Sequence, residues 1–270
     1  MKNKLPAAPY LVWMIVFILV PLIMVAYFAF TDKDGHFTLD YVSNVAQYTP
    51  IFVRSIWLAL ISTVICLFIA YPLAYILIGM NTNIQSTMLM IVMLPMWMNF
   101  LLRTYAWMAL LGNNGLINAL LGLVGLGPFK MLNTEGAVVL GMVYNYLPFM
   151  ILPIYSVMVK IDKSVLEAAA DLGCNPAKTM LKVVFPLSLP GVFSGITMVF
   201  VPAISTFIIS RMLGGGGNLL IGDLIEMQFL GNSYNINLGA AISLVLMVIV
   251  LLIMTILNQF GADDDGVMVI

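Results

Sequence analysis

Charge is scarce in this chain: only 9% of its 270 residues are Asp, Glu, Lys or Arg, while 62% are hydrophobic and the mean hydropathy is +1.07. Soluble domains carry about 25% charged residues. So small a polar fraction cannot cover a globule in water, which excludes a soluble fold. The net charge of −1 comes with no basic patch, and this sets nucleic-acid binding aside. Cys66 and Cys174 are the two cysteines, one inside an apolar run and one in a charged segment, so they read as unpaired thiols. His36 is the single histidine and has no cysteine near it, which leaves no metal cluster and no hydrolytic constellation. A phosphate-cradling G-x-x-x-x-G-K-[ST] is also missing. The glycine run Gly214–Gly217 has no lysine after it and reads as a turn in a loop. The chain is therefore expected to bind no cofactor and to draw its free energy from a partner or a gradient.

Long apolar runs are what the sequence has. A hydrocarbon core needs about 20 apolar helical residues. Such runs lie near Pro9–Phe30, Ser55–Ile78, Thr87–Leu111, Glu135–Met158, Leu187–Ser210 and Leu238–Phe260. The fold class is thus an all-α integral membrane protein with six transmembrane helices in one domain spanning residues 1–270. The first run follows a basic start but is too long for a signal peptide's apolar region and lacks a small-residue cleavage site, so it reads as a retained span. Gly115–Phe129 is apolar but short and broken by glycines and Pro128, so it is expected to lie at the interface or re-enter rather than cross. With both termini in the cytoplasm, Lys2, Lys4, Lys160, Lys163, Lys178 and Lys182 fall inside, and Lys33, Arg54, Lys130 and Arg211 outside, a modest bias in the expected direction. The acidic Ala262–Gly266 (ADDDG) is an unusual inner end, but acids weigh little in that rule.

One segment carries most of the charge of the second half: LEAAADLGCNPAKTMLKVVFPLSLPG, Leu166 to Gly191. Ser164 and Glu167 fit a capping box for a helix over Val165–Leu172, with Gly173 just past its end. Asn175 and Pro176 fit the start of a second helix, and Pro186 is expected to stop it. Val165, Ala168, Ala169 and Leu172 make one stripe, kept slim by Ala168–Ala170. A slim capped helix suits docking into a groove of another protein, and the weak repulsion of Glu167 and Asp171 would be relieved by a partner cation.

Glu167-Ala168-Ala169, then Gly173, then Val183 and Phe185-Pro186 resembles the EAA loop of ABC importer permeases, with valine and phenylalanine at the usual isoleucine and leucine positions. The resemblance makes residues 159–186 a cytoplasmic coupling loop. Glu167, Ala168, Ala169, Asp171, Gly173 and Pro186 would then contact a cytoplasmic ATPase, and the fold would be that of type I importers. Together with LPMWMNFLLRTYAW, YNYLPFMILPIYS and GGGGNLLIGDLIEMQFL, the chain looks like the permease of spermidine/putrescine importers, the PotB type. That resemblance implies four kinds of partner. They are a second, similar permease (PotC-like), two copies of a cytoplasmic ATPase (PotA-like) that use ATP and Mg, an extracytoplasmic polyamine-binding protein (PotD-like), and the lipid of a bacterial cytoplasmic membrane. An importer permease for another small solute remains open. So does a gradient-driven carrier, although carriers bury carboxylates in their spans and here Asp and Glu fall in loops or at span ends.

Polar and aromatic residues in or near the spans are the candidates for the solute path. Asn99 and Arg103 would share a face of the third helix. Arg103 is expected to pair with an outer-loop acid or helix-end carbonyls and to help set an outer gate. Trp97, Tyr105, Tyr144, Asn145 and Tyr146, with Asp223 and Glu226 at the outer mouth, are the groups suited to a cation.

Overall fold

A computed structural model describes residues 8–231 and 234–262. Lys2, Lys4 and the acidic stretch from Asp263 lie outside the described residues. Among those described, the chain is helical, with one isolated bridge between Thr31 and Phe37 in a loop. Six stretches are long and apolar enough to cross a membrane: Pro9–Ala29, Asp40–Ile78, Phe100–Leu123, Glu135–Met158, Pro176–Ile204 and Ile236–Leu257. In helices, every backbone polar group is satisfied within the segment, as a bilayer demands.

Helix Glu135–Met158 lies at the centre, packed against both Thr49–Ile78 and Phe185–Ile204, which also touch each other. Glycines set the closeness of that second pairing. A Cβ at Gly191 would sit 2.8 Å from the Pro153 carbonyl oxygen and 3.1 Å from the Ile154 Cα, and one at Gly195 would sit 2.7 Å from the Met150 Sδ. Gly191 and Gly195 are four apart, the small-residue spacing that lets membrane helices approach. The buried side chains form two clusters. One contains Phe52, Val138, Met142, Ile209 and Ile221, the other Leu77, Met150, Ile154, Met158 and Val184, and Tyr146 touches both.

The two ends of the bundle are fastened by polar side chains. At one end Arg54 pairs with Glu135 at 3.3 Å, the Ser55 hydroxyl accepts from the Ile221 N–H at 2.9 Å, and Asn237 donates to the carbonyls of Phe28 (3.1 Å) and Thr31 (2.6 Å). At the other, Gln85 donates to the carbonyls of Met80 (2.8 Å) and Ile78 (3.3 Å) and accepts from the Tyr155 hydroxyl at 2.9 Å.

Four local expectations need correction. The expected single helix Thr87–Leu111 is two helices, Thr82–Trp97 and Phe100–Leu111, broken at Met98 and Asn99, where the backbone is extended. Pro95 weakens the last turn of the first helix, and Asn99 caps the second by accepting from Leu101 N at 2.9 Å and Leu102 N at 3.3 Å. The expected Leu187–Ser210 run ends at Ile204. A new helix, Ile208–Gly214, starts after a break at Ser205–Phe207. Pro186 does not stop its helix, because the chain runs through a widened turn, Met180–Val184, into Phe185–Ile204. Such a turn accommodates the upstream carbonyl that proline, having no N–H, leaves without its usual donor. Finally, the helix expected over Val165–Leu172 with Ser164 as its cap runs Lys163–Asp171 and is capped by Asp162, whose carboxylate accepts from Ser164 N at 3.0 Å.

The segment at Gly115–Phe129 forms an eight-residue helix, Leu116–Leu123, which covers about 12 Å and cannot cross alone. It doubles back on Phe100–Leu111 so tightly that a Cβ at Gly115 would sit 2.4 Å from the Leu110 carbonyl oxygen. Asn118 closes the turn by donating to Gly112 O (3.1 Å) and Phe129 O (3.0 Å) and accepting from Phe129 N (2.9 Å).

Candidate functional site

The pathway candidates fall into two neighbouring groups beside the Ser205–Phe207 break. The first is built around Arg103. Its side chain is buried, at 7% exposure, and Nη1 donates to the Pro95 carbonyl just before the helix break. Its Cζ lies 5.7 Å from the Phe100 ring centroid and 5.8 Å from that of Tyr144. Nε is buried without a partner, and among the described residues no acid pairs with this guanidinium. Tyr144 meets Trp107 edge-to-face at 5.2 Å. The Tyr146 hydroxyl donates to the Pro202 carbonyl at 3.3 Å, on the turn before the break.

The second group surrounds Asp223, in helix Ile221–Leu230. Asp223 is 1% exposed and is the buried acid among the described residues, lying outside the six spans. Its Oδ2 accepts from Leu220 N at 2.9 Å, while Oδ1 has no hydrogen-bond partner. Burial raises its pKa above the ordinary 3.8, partly opposed by Ser210, the Leu220 amide and Arg211. Glu226 is engaged by both terminal nitrogens of Arg211. Asp223, Ser210, Arg211, Gly215 and Asn218 line a cleft under the glycine run. Gly215 sits there at φ +60° against Asn133, whose Oδ1 would be 2.6 Å from a Cβ.

The remaining candidates stand apart. Trp97 and Tyr105 are 78% and 58% exposed and turn away from this chain's core. Asn99 is spent on the cap already described. Asn145 is buried and donates to Gly141 O at 2.7 Å, with its own oxygen unpartnered. Sequence reasoning missed Ser55, Gln85, Tyr71 with Ser188 (3.0 Å apart) and Asn237 as fasteners. Their signal was present, since a polar residue inside an apolar run must find a partner.

At the opposite end from Arg54 and Glu135, the charged loop forms helix Lys163–Asp171, ended by Gly173 at φ +77°. Asn175 caps the following turn by accepting from Lys178 N at 2.8 Å, with Pro176 in its first position. Leu166 and Ala169 turn inward. Val165, Ala168 and Leu172 are exposed, Leu172 at 85%, and with Cys174 and Val183 they border an open apolar groove. Glu167 and Asp171 are also exposed. Three of the four stripe residues, Val165, Ala168 and Leu172, therefore face away from the chain's own bundle, while Ala169 packs against it.

A six-span helical bundle, with broken helices beside a polar interior cluster and a capped helix pair projecting from one end, defines a membrane transport component. Residues 35–260 match the model of the family described as binding-protein-dependent transport system inner membrane component. The chain belongs to that family, as a multi-pass protein of the bacterial inner membrane. It is 37% identical over 261 residues to the spermidine/putrescine transport system permease protein PotB of Haemophilus influenzae, covering 93% of this chain and 91% of that protein. To PotB of Escherichia coli it is 35% identical, covering 88% and 90%. The Escherichia coli inner membrane ABC transporter permease protein YdcU is 31% identical, at 82% and 74% coverage. In fold it matches a chain of a bacterial ABC transporter involved in import of the acidic polysaccharide alginate (TM-score 0.81, 16% identity, covering 94% of this chain and 93% of that one). The fold is thus that of type I importer permeases.

Proposed function

We propose that this chain is the polyamine-translocating permease of an ATP-driven importer. The observation that carries the reading is its 37% identity, over 93% of its length, to a protein named as a spermidine/putrescine permease. The chain works beside a second, similar permease, above two cytoplasmic ATPases, with an extracytoplasmic polyamine-binding protein delivering the solute. Both termini and the Lys163–Asp171 helix lie in the cytoplasm, as the lysine bias favours. Closure of the ATPases pushes on the exposed Val165–Ala168–Leu172 stripe, with Glu167 and Asp171 meeting cations of the ATPase. The push is passed to helices Glu135–Met158 and Phe185–Ile204, which alternate the access of the interior between the two sides. Pro186, near the start of the second of these helices, keeps a stiff connection to the loop.

The chemistry of the interior fits a weakly held cation. Asp223 is buried and capping a helix, and Glu226 is committed to Arg211, so aromatic faces and carbonyls near Tyr144 and Trp107 are the groups left for an ammonium. Selectivity then resides chiefly in the binding protein. Spans without buried acids also argue against proton coupling.

The test is spermidine uptake by the complete transporter in proteoliposomes or cells. Uptake should survive collapse of the proton gradient, stop on ATP depletion, and be lost in Gly173→Val while the protein stays inserted. Uptake that tracks the proton gradient, or that is normal in Gly173→Val, would refute the coupling.

A further inference from the structure

A guanidinium buried at the break of the third span is unexpected in a protein proposed to pass polycations, and its surroundings give the reason. Helix Thr82–Trp97 ends inside the apolar run, where the Pro95 carbonyl accepts a long bond from the Met98 N–H, at 3.3 Å, and is also reached by the Arg103 guanidinium. Half-helix C-termini of this kind coordinate cations in transporters, because the helix dipole leaves partial negative charge there. The Phe100 and Tyr144 rings face the same spot, and aromatic faces attract cations most strongly when water is excluded. Carbonyl plus two rings is the donor set of a cation site that uses no acid. Arg103 is in it, yet uses it poorly. Of the five N–H donors a guanidinium offers, the described bond is the one to Pro95 O, and Nε is buried without a partner. A compact ammonium with three rotatable donors can meet the Pro95 carbonyl and both ring faces without the fixed in-plane donors that a planar fork leaves unpaired.

We infer that the break in the third span, at Pro95, Phe100 and Tyr144, is a cation subsite that Arg103 occupies as a tethered stand-in when the pathway is empty, and from which an alkylammonium group of the solute displaces it. This rests on the polyamine reading above. The tethered cation keeps the subsite filled between transport cycles and competes with the solute. The solute is therefore held loosely and leaves again.

The experiment measures equilibrium binding of radiolabelled spermidine to the purified transporter, both permeases with both ATPases but without the binding protein, for wild type, Arg103→Met and Arg103→Lys. Arg103→Met, free of the competitor, should bind spermidine about tenfold more tightly, while ATP-driven uptake turns over more slowly. Arg103→Lys keeps a tethered cation, and one whose ammonium suits the subsite, so it should bind spermidine no more tightly than wild type. A purely structural arginine predicts a lower melting temperature in Arg103→Met with unchanged spermidine affinity, and that result overturns the inference. If the methionine variant does not assemble, Arg103→Gln removes the charge at similar length and is held to the same criterion. Wild-type uptake of spermidine, measured first, separates the two readings. Its absence removes the polyamine assignment and this subsite with it. Normal uptake with unaltered affinity in the variant removes the subsite alone.

Discussion

Asp223 holds one carboxylate oxygen on the Leu220 amide and leaves the other unmatched inside the protein. Because burial raises its folded pKa above the unfolded 3.8, the folded state binds more protons than the unfolded state between those two values. Stability is then greatest below the unfolded pKa and falls as pH rises through the folded one. Asparagine can accept the same amide bond without carrying charge. Asp223→Asn should therefore match or exceed wild type in melting temperature near neutral pH, and lose the part of the downward slope above about pH 4 that Asp223 supplies. Melting curves of the purified transporter across that range check this, and parallel curves for the two proteins would contradict it. The same residue shows where sequence reading stops. Its acid type was legible. Its burial and its bond to its own helix start depend on how Ile221–Leu230 folds under the glycine run.

Helix packing at the element scale rests on close approach. The Cβ of an alanine at Gly191 meets main-chain atoms of Pro153 and Ile154, which cannot swing aside, whereas at Gly195 the nearest atom is the flexible Met150 sulfur. Overpacking of this kind costs about 1–3 kcal/mol. Gly191→Ala should accordingly lower the melting temperature clearly more than Gly195→Ala, a ranking that thermal unfolding of the detergent-purified protein reads directly. Six apolar runs and the capped loop after Met158 were visible in residue order, because length, hydropathy and cap chemistry are local. The break at Met98–Asn99 was not recognised, though Pro95 and Asn99 mark it, because apolar content alone reads straight through both. Pro186 misled in the other direction. Proline's usual role as a stop holds where water can take the freed carbonyl, while a widened turn ahead of it lets this helix continue.

On the scale of the whole molecule, the proposed orientation can be read from two thiols. Cys66 is fully buried in Thr49–Ile78, while Cys174 is partly exposed beside the capped helix pair. A membrane-impermeant maleimide should leave intact cells unlabelled and modify Cys174 once the membrane is opened. Labelling before permeabilisation would invert the topology. Asn237 has a different consequence. It joins the start of the last span to the carbonyls of Phe28 and Thr31, at the end of the first, across 209 and 206 residues of chain. The first span otherwise has little packed against it, and its main neighbour is the final helix. At about 5–20 residues per second of synthesis, the ribosome needs roughly 10–40 s to make the intervening chain. Within this chain, the docking of the earliest helix to enter the bilayer is therefore not completed until the last one emerges to receive it.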